Sequence, residues 1–176
     1  IICQMSYILE RESLAMSKYQ GARLELQDFR AVAPEVNAAV QALSQIAAKA
    51  GLDKQLLELI KIRASQINGC AFCLQYHIIT AETLGVPVDK LNLLAVWREA
   101  PVFSDRERAA LAWTEALTIL GHGVGDDVYD AARAEFSESE LAYLSSAVAV
   151  INVWNRFGVA YRWTPPARQT SQTAAS

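Results

Sequence analysis

The chain has 176 residues, 52% of them hydrophobic and 20% charged, with a formal net charge of −3 and a pI near 5.4. That is enough chain for one domain with a substantial core. The sixteen basic residues are scattered, so there is no electrostatic case for binding nucleic acid or an anionic membrane surface.

No apolar stretch approaches the roughly 20 residues that a membrane-crossing helix needs, so a soluble protein is expected. Only Cys3, Cys70 and Cys73 occur, which does not fit a secreted disulfide scaffold and points to a reducing, cytoplasmic setting. Residues 1 to 15 do not read as a signal peptide. They are expected to be an added or disordered leader ahead of a natural start at Met16, and Cys3 within them is assigned no role.

From there the pattern is helical. "APEVNAAVQALSQIAAKAG" repeats apolar residues at Val36, Ala39, Val40, Leu43, Ile46 and Ala47, the spacing of a buried helix face, and stops at Gly51. "DKQLLELIKIRASQIN" places Leu56, Leu57, Ile60, Ala64 and Ile67 on one stripe, closed by Asn68 and Gly69. A third helix is expected from Gly69 to Leu84 and a short one from about Val88 to Trp97. Ser104 and Glu107 form a capping-box pattern opening a helix that ends at Gly121, and Ser137 and Glu140 open a last helix reaching about Trp163. No stretch alternates with period two for long enough to make a strand, so the fold class is all-α. The domain is expected to span residues 16–163, with 164–176 a flexible tail.

The segment "NGCAFCLQYH" carries the chemistry. On a helix turning about 100° per residue, Cys73 lies about 60° from Cys70 and His77 about 20° from it, so all three share a face. Side chains three apart have Cβ atoms roughly 5–6 Å apart, within reach of a disulfide after modest adjustment. Unpaired N–H groups and the positive dipole end at the first turn favour thiolate, the reactive species. The same face carries Leu74, Ala81 and Leu84, so the thiols are expected to be sheltered. A redox pair is favoured on these grounds, with a metal site and plain packing left open. A closed zinc site wants four ligands and only three are local, while His122 in "GHGVGD" reads as a solvated loop residue. Glu58 falls about 150° from the apolar stripe beside Lys54, Lys61 and Ser65, so by position it reads as a solvated acid, although Ile62 among these polar residues hints at a covering helix. Trp97, Trp113, Trp154 and Trp163 read as core or subunit contacts, and Asn152, Asn155 and Arg156 as pocket, capping or contact residues.

Glu58, Cys70, Cys73 and His77 in this spacing, within "LLELIKIRASQINGCAFCLQYHIITAETLGV", resemble the core motif of the alkyl hydroperoxidase D (AhpD)-like proteins of the carboxymuconolactone decarboxylase superfamily. "INVWNRFGVAYRWTPP" is similar to the family's C-terminal helix, and the resemblance covers roughly Leu26 to Pro166. It implies an all-helical domain that assembles as a homo-oligomer, trimer or hexamer, and a thiol-dependent peroxidase with disulfide reductase character. Cys73 would be the peroxidatic thiol, Cys70 the resolving thiol, and His77 with Glu58 the proton relay. No cofactor is implied beyond an external thiol, lipoyl or thioredoxin-like reductant, and the partners implied are a small hydroperoxide and a reducing protein. Studied relatives carry a histidine directly before the second cysteine, where this chain has Phe72. The alternatives are a non-catalytic redox-sensing assembly protein and a lyase of the decarboxylase branch, whose members lack the cysteine pair.

Overall fold

Every regular element among the described residues is helical. The structure, a computed structural model, describes residues 21–121 and 123–168, so the expectations for residues 1–15, Cys3 and His122 lie outside it. The order is α1 (Leu26–Val32), α2 (Pro34–Lys49), α3 (Lys54–Asn68), α4 (Ala71–Thr83), α5 (Val88–Leu93), a single 3₁₀ turn (Leu94–Val96), α6 (Asp105–Thr118), α7 (Asp126–Glu135) and α8 (Glu138–Tyr161). No helix among the described residues is long and apolar enough to cross a membrane.

The arrangement follows from α3, which has no solvent face of its own. Asp53 caps its start by accepting the Leu56 N–H at 2.8 Å. Leu56, Leu57 and Ile60 then pack with Ala110 and Trp113 of α6, Phe136 after α7, and Leu144 and Val148 of α8. On another side Leu59 and Ile62 meet Ala81 and Val86, the 3₁₀ turn through Leu94, and Leu111. On a third side Ala64 packs with Cys70, Cys73 and Ile151. The helix is therefore central, and its nominally polar residues Glu58 and Ser65 are buried with the rest. The stripe read from sequence is one of several buried faces, and Ile62 was the visible trace of another.

Both expected capping boxes form, Ser104 with Glu107 at α6 and Ser137 with Glu140 at α8. Helices α1 and α7 went unnamed in the sequence reading. Pro34 separates α1 from α2 and fits the first turn of the latter, while α7 opens with Asp126 and Asp127 against the positive end of its dipole. Near Trp97 the expected helix gives way to the 3₁₀ turn, and Trp97 Nε1 donates to Glu115 at 2.8 Å, beside Arg63 at 2.7 Å. The tail is better held than expected at its start. Thr164 Oγ1 donates to Glu25 at 2.6 Å and Arg168 pairs with Glu82 at 3.0 Å.

One expectation fails on α2. Its apolar stripe was read as buried, yet Val36, Leu43 and Ile46 are 45%, 39% and 40% exposed, and Val32 just ahead is 71% exposed. The helix lies on α8 by an adjacent face instead, where Ser44 accepts the Trp154 indole N–H at 2.9 Å. The stripe consequently points away from this chain's own core.

Because Ile60 is fully buried at the meeting of four elements, Ile60→Ala should lower unfolding free energy by about 2–5 kcal/mol, read from a denaturant titration.

Candidate active site

The thiol site begins at a turn. Gly69 takes a left-handed conformation, φ 67°, that ends α3, and the Cys70 N–H then donates back to the Ser65 carbonyl at 3.1 Å. This pivot makes Cys70 the N-cap of α4 rather than a residue within its first turn. Its Sγ does what a serine or aspartate oxygen ordinarily does there, accepting the Cys73 backbone N–H at 3.3 Å. The two sulfurs stand 2.7 Å apart and unbonded, within a small movement of the roughly 2.05 Å of a disulfide. Both are sheltered, with Cys70 1% and Cys73 3% exposed.

The two thiols are electrostatically unequal. The hydrogen bond with the Cys73 side chain is the main reason the Cys70 thiol falls to about 7; burial opposes the shift, and the Cys73 backbone N–H and the Asn155 amide add to it. Cys73 moves the other way, because its proton is held in that same bond, burial penalises its anion, and a Cys70 thiolate repels a second charge. The pair therefore gives up one proton near neutrality and holds the second.

Glu58 and His77 meet at 2.7 Å, Oε2 to Nδ1, and Lys61 Nζ donates to the other carboxylate oxygen, also at 2.7 Å. Glu58 is 5% exposed, which corrects its reading as a solvated acid: α4 covers the polar face of α3 and brings His77 onto it. Burial pushes the Glu58 carboxyl up, but the bonds and charges of His77 and Lys61 outweigh it and hold it below the ordinary range. Burial lowers His77, with Glu58 opposing and Lys61 assisting, and the net direction is down. An ionised Glu58 then fixes the tautomer, since Nδ1 must carry the proton it donates. Nε2 is left as the basic nitrogen of a neutral imidazole.

Helix α8 closes the site from behind. Asn155, completely buried, donates through Nδ2 to Ser65 Oγ at 3.0 Å and accepts from Asn68 Nδ2 at 2.9 Å. Asn68 also donates to Asn152 at 2.9 Å. Sequence position left Asn152 and Asn155 ambiguous, because which face of α8 meets α3 is a tertiary fact. Arg162, left-handed at φ 54°, folds the chain back so that the Trp163 N–H donates to the Gly158 carbonyl at 3.1 Å.

In front of Cys73 lies a cavity of about 370 Å³. Cys73, His77, Glu58 and Lys61 line it and Cys70 does not, so Cys73 is the sulfur presented to a small molecule. Phe72, Tyr76, Trp154 and Trp163 supply aromatic walls. Phe72 lies parallel to Tyr76 with centroids 6.2 Å apart and edge-on to Trp163 at 5.5 Å. Two of the four tryptophans thus belong to the pocket, whereas Trp97 and Trp113 are core. Among the described residues no group of three or more His, Cys, Asp or Glu side chains is placed to hold a metal ion.

The sequence model of the Carboxymuconolactone decarboxylase family matches residues 34–116. The uncharacterized protein YdfG of Bacillus subtilis (strain 168) is 32% identical over 130 residues, covering 73% of this chain and 88% of that protein. A solved protein of unknown function from Agrobacterium tumefaciens, suggested to be an antioxidant defence protein AhpD, is 38% identical with a TM-score of 0.79, covering 84% of this chain and 100% of that one. The debrominase Bmp8 shares the fold at 20% identity and a TM-score of 0.70, with 76% of this chain and 73% of that one covered.

The inequality of the thiols has a measurable consequence. Titration of the reduced protein by thiolate ultraviolet absorbance should show one transition near pH 7, below the ordinary cysteine value of about 8.5. In Cys73→Ala the S–H donor is gone, so the Cys70 transition should move upward; a transition that stays near 7 would show that the donor is not responsible.

Proposed function

Since the chain belongs to the carboxymuconolactone decarboxylase family, as an AhpD-like member of it, we propose that it is a thiol-dependent peroxidase that reduces organic hydroperoxides through Cys73 and Cys70. The observation that carries this reading is the pair of unbonded sulfurs 2.7 Å apart, one of them facing a pocket that also holds the buried His77–Glu58 pair.

The proposed steps use the residues that line the pocket, together with Cys70. A hydroperoxide enters the aromatic pocket and meets Cys73. The Cys73 proton leaves as its sulfur attacks the outer peroxide oxygen, and His77 Nε2 is the base for it. The O–O bond breaks, Cys73 becomes a sulfenic acid, and the leaving alkoxide takes the proton back to depart as an alcohol. The Cys70 thiolate then attacks the Cys73 sulfur, the S–O bond breaks, and water leaves after protonation of the hydroxide. Two thiols and one hydroperoxide have become a disulfide, an alcohol and water. An external dithiol of lipoyl or thioredoxin-like type restores the pair by exchange, entering at Cys73 because Cys70 has no face on the pocket. The unequal acidities suit these roles: the hidden thiol is ready as thiolate for the second step, while the presented thiol reacts only with its base in place.

Assembly belongs to the same reading. The exposed stripe of Val32, Val36, Leu43 and Ile46 is the surface that further copies of the chain would cover in a trimer or hexamer. Leu43→Glu should therefore reduce the mass seen by light scattering, and an unchanged mass would remove this face from the interface.

The decisive test is peroxide consumption with a supplied dithiol. Cys73→Ser should abolish turnover while circular dichroism and assembly stay as in the wild type. Full turnover in that variant would transfer the activity to cysteine-independent chemistry, as a lyase would show. Reversible Cys70–Cys73 oxidation without turnover would instead favour a redox sensor. Glu58→Gln, which removes the charge holding the His77 tautomer, should slow oxidation of the thiols at neutral pH by about 10²-fold, read by stopped-flow.

A further inference from the structure

Helix α8 carries a glycine where a helix does not want one. Gly158 lies three residues before the end of a 24-residue helix and is buried, and glycine is a far poorer residue for a helix interior than alanine. No left-handed conformation requires it; the space around it does. A Cβ at this position would stand 2.6 Å from Cys70 Sγ, 3.5 Å from Cys73 Sγ and 3.3 Å from Trp163 Cε3. The first distance is far inside contact range, and the backbone of α8 is thus the floor on which both sulfurs rest.

Cys70 has little room to retreat. Its Sγ accepts the Cys73 N–H as the cap of α4, and its own N–H is bound to the Ser65 carbonyl. One turn earlier on the same face of α8 stands Asn155, whose amide is clamped between Ser65 Oγ and Asn68 Nδ2. With one Nδ2 proton committed to Ser65, a second remains, and the Asn155 amide lowers the pKa of both thiols. Ser65 therefore ties the two features together, since its carbonyl holds the Cys70 backbone and its hydroxyl orients the Asn155 amide.

We propose that Gly158 and Asn155 are the positioning residues of the thiol pair: the missing side chain of Gly158 lets Cys70 Sγ settle against α8, and Asn155, one turn earlier on that helix, holds the hydroxyl of Ser65, the residue whose carbonyl binds the Cys70 N–H. The inference takes the thiol pair as the reacting centre but needs no particular substrate. Neither residue touches the incoming molecule, since neither lines the cavity. They act through the sulfurs, setting where the charge sits and how easily it forms.

The test uses the full-length reduced protein and two measurements that do not involve peroxide. In Gly158→Ala the added methyl pushes Cys70 Sγ off its donors, so the thiolate transition should rise by about one pH unit or more. Asn155→Ala should move it the same way without crowding the site. Thermal unfolding then separates positioning from general packing. Gly158→Ala should lower Tm strongly in the wild-type background, but by less than half as much in Cys70→Ala, where the sulfur it would strike is absent. An unmoved thiolate transition in folded Gly158→Ala would overturn the proposal, as would an equal Tm loss in both backgrounds. If Gly158→Ala alone fails to fold, the double variant Gly158→Ala/Cys70→Ala must fold; its failure overturns the proposal as well. A retained transition shift with no peroxidase activity in the wild type would leave this inference standing and remove only the substrate assignment.

Discussion

The structure turns on burying a charged residue in the wall of a helix that has no free side. Because α3 is packed by α4, α6 and α8, Glu58 cannot reach bulk water, and an unpaired carboxylate there would cost several kcal/mol. Two partners resolve this, one from its own helix and one from α4. Lys61 sits one turn on and His77 arrives from the helix beyond the Gly69 pivot. The bond to His77 fixes which nitrogen of the imidazole is basic, and the register that makes this bond also places Cys73 one turn earlier on the same helix. A single buried acid thereby couples the packing of α4 on α3 to the protonation state of the site. Removing either partner would leave the Glu58 carboxylate enclosed with one bond fewer, so the arrangement is retained or lost as a unit.

The unequal thiols follow from a second local constraint, the cap of α4. Helix starts need an acceptor, and this one uses sulfur. The acceptor role stabilises negative charge on Cys70 and, through the S–H bond, keeps a proton on Cys73. One feature of secondary structure therefore makes two chemically identical side chains unequal, one held in the cap and one presented to the pocket. The pocket adds to the difference, since Phe72 and Trp163 stand edge-on to each other beside Cys73 while Cys70 has no place in its lining.

How much of this could be read from the sequence depended on the range of the interaction involved. Capping boxes at Ser104 and Ser137, the Gly69 stop and the closeness of Cys70 to Cys73 are set within one turn or two, and all were legible. Glu58 was not legible from amphipathicity, because a helical wheel assumes one covered side and α3 is covered on all; only the family spacing singled it out. The stripe on α2 misled for the opposite reason. Apolar periodicity reports that a face avoids water, and says nothing about whether the same chain provides the cover. Helix α7 was passed over although Gly125 and two aspartates announce it, since its apolar residues are few. Asn155 and Gly158 were out of reach altogether, because their meaning lies in contacts with residues about ninety positions away.

Those distant contacts bear on how a disulfide-forming site could be kept ready without closing at random. Two cysteines three apart at a helix start are geometrically prone to bond, and an exposed pair would meet any passing oxidant. Here the approach is restricted on both sides: α8 occupies the rear to within contact of Cys70, while the aromatic pocket admits small molecules only to Cys73. Under the proposed function, oxidation begins at the presented sulfur, and Cys70, already positioned, reacts next with its neighbour before anything larger can reach it. Under the proposed reading the reductant meets the same restriction in reverse, so a slender dithiol arm suits the pocket better than a broad protein surface. The order proposed for the chemistry would then be a consequence of which sulfur faces the opening, with the pivot at Gly69 and the close approach of α8 at Gly158 holding Cys70 behind it.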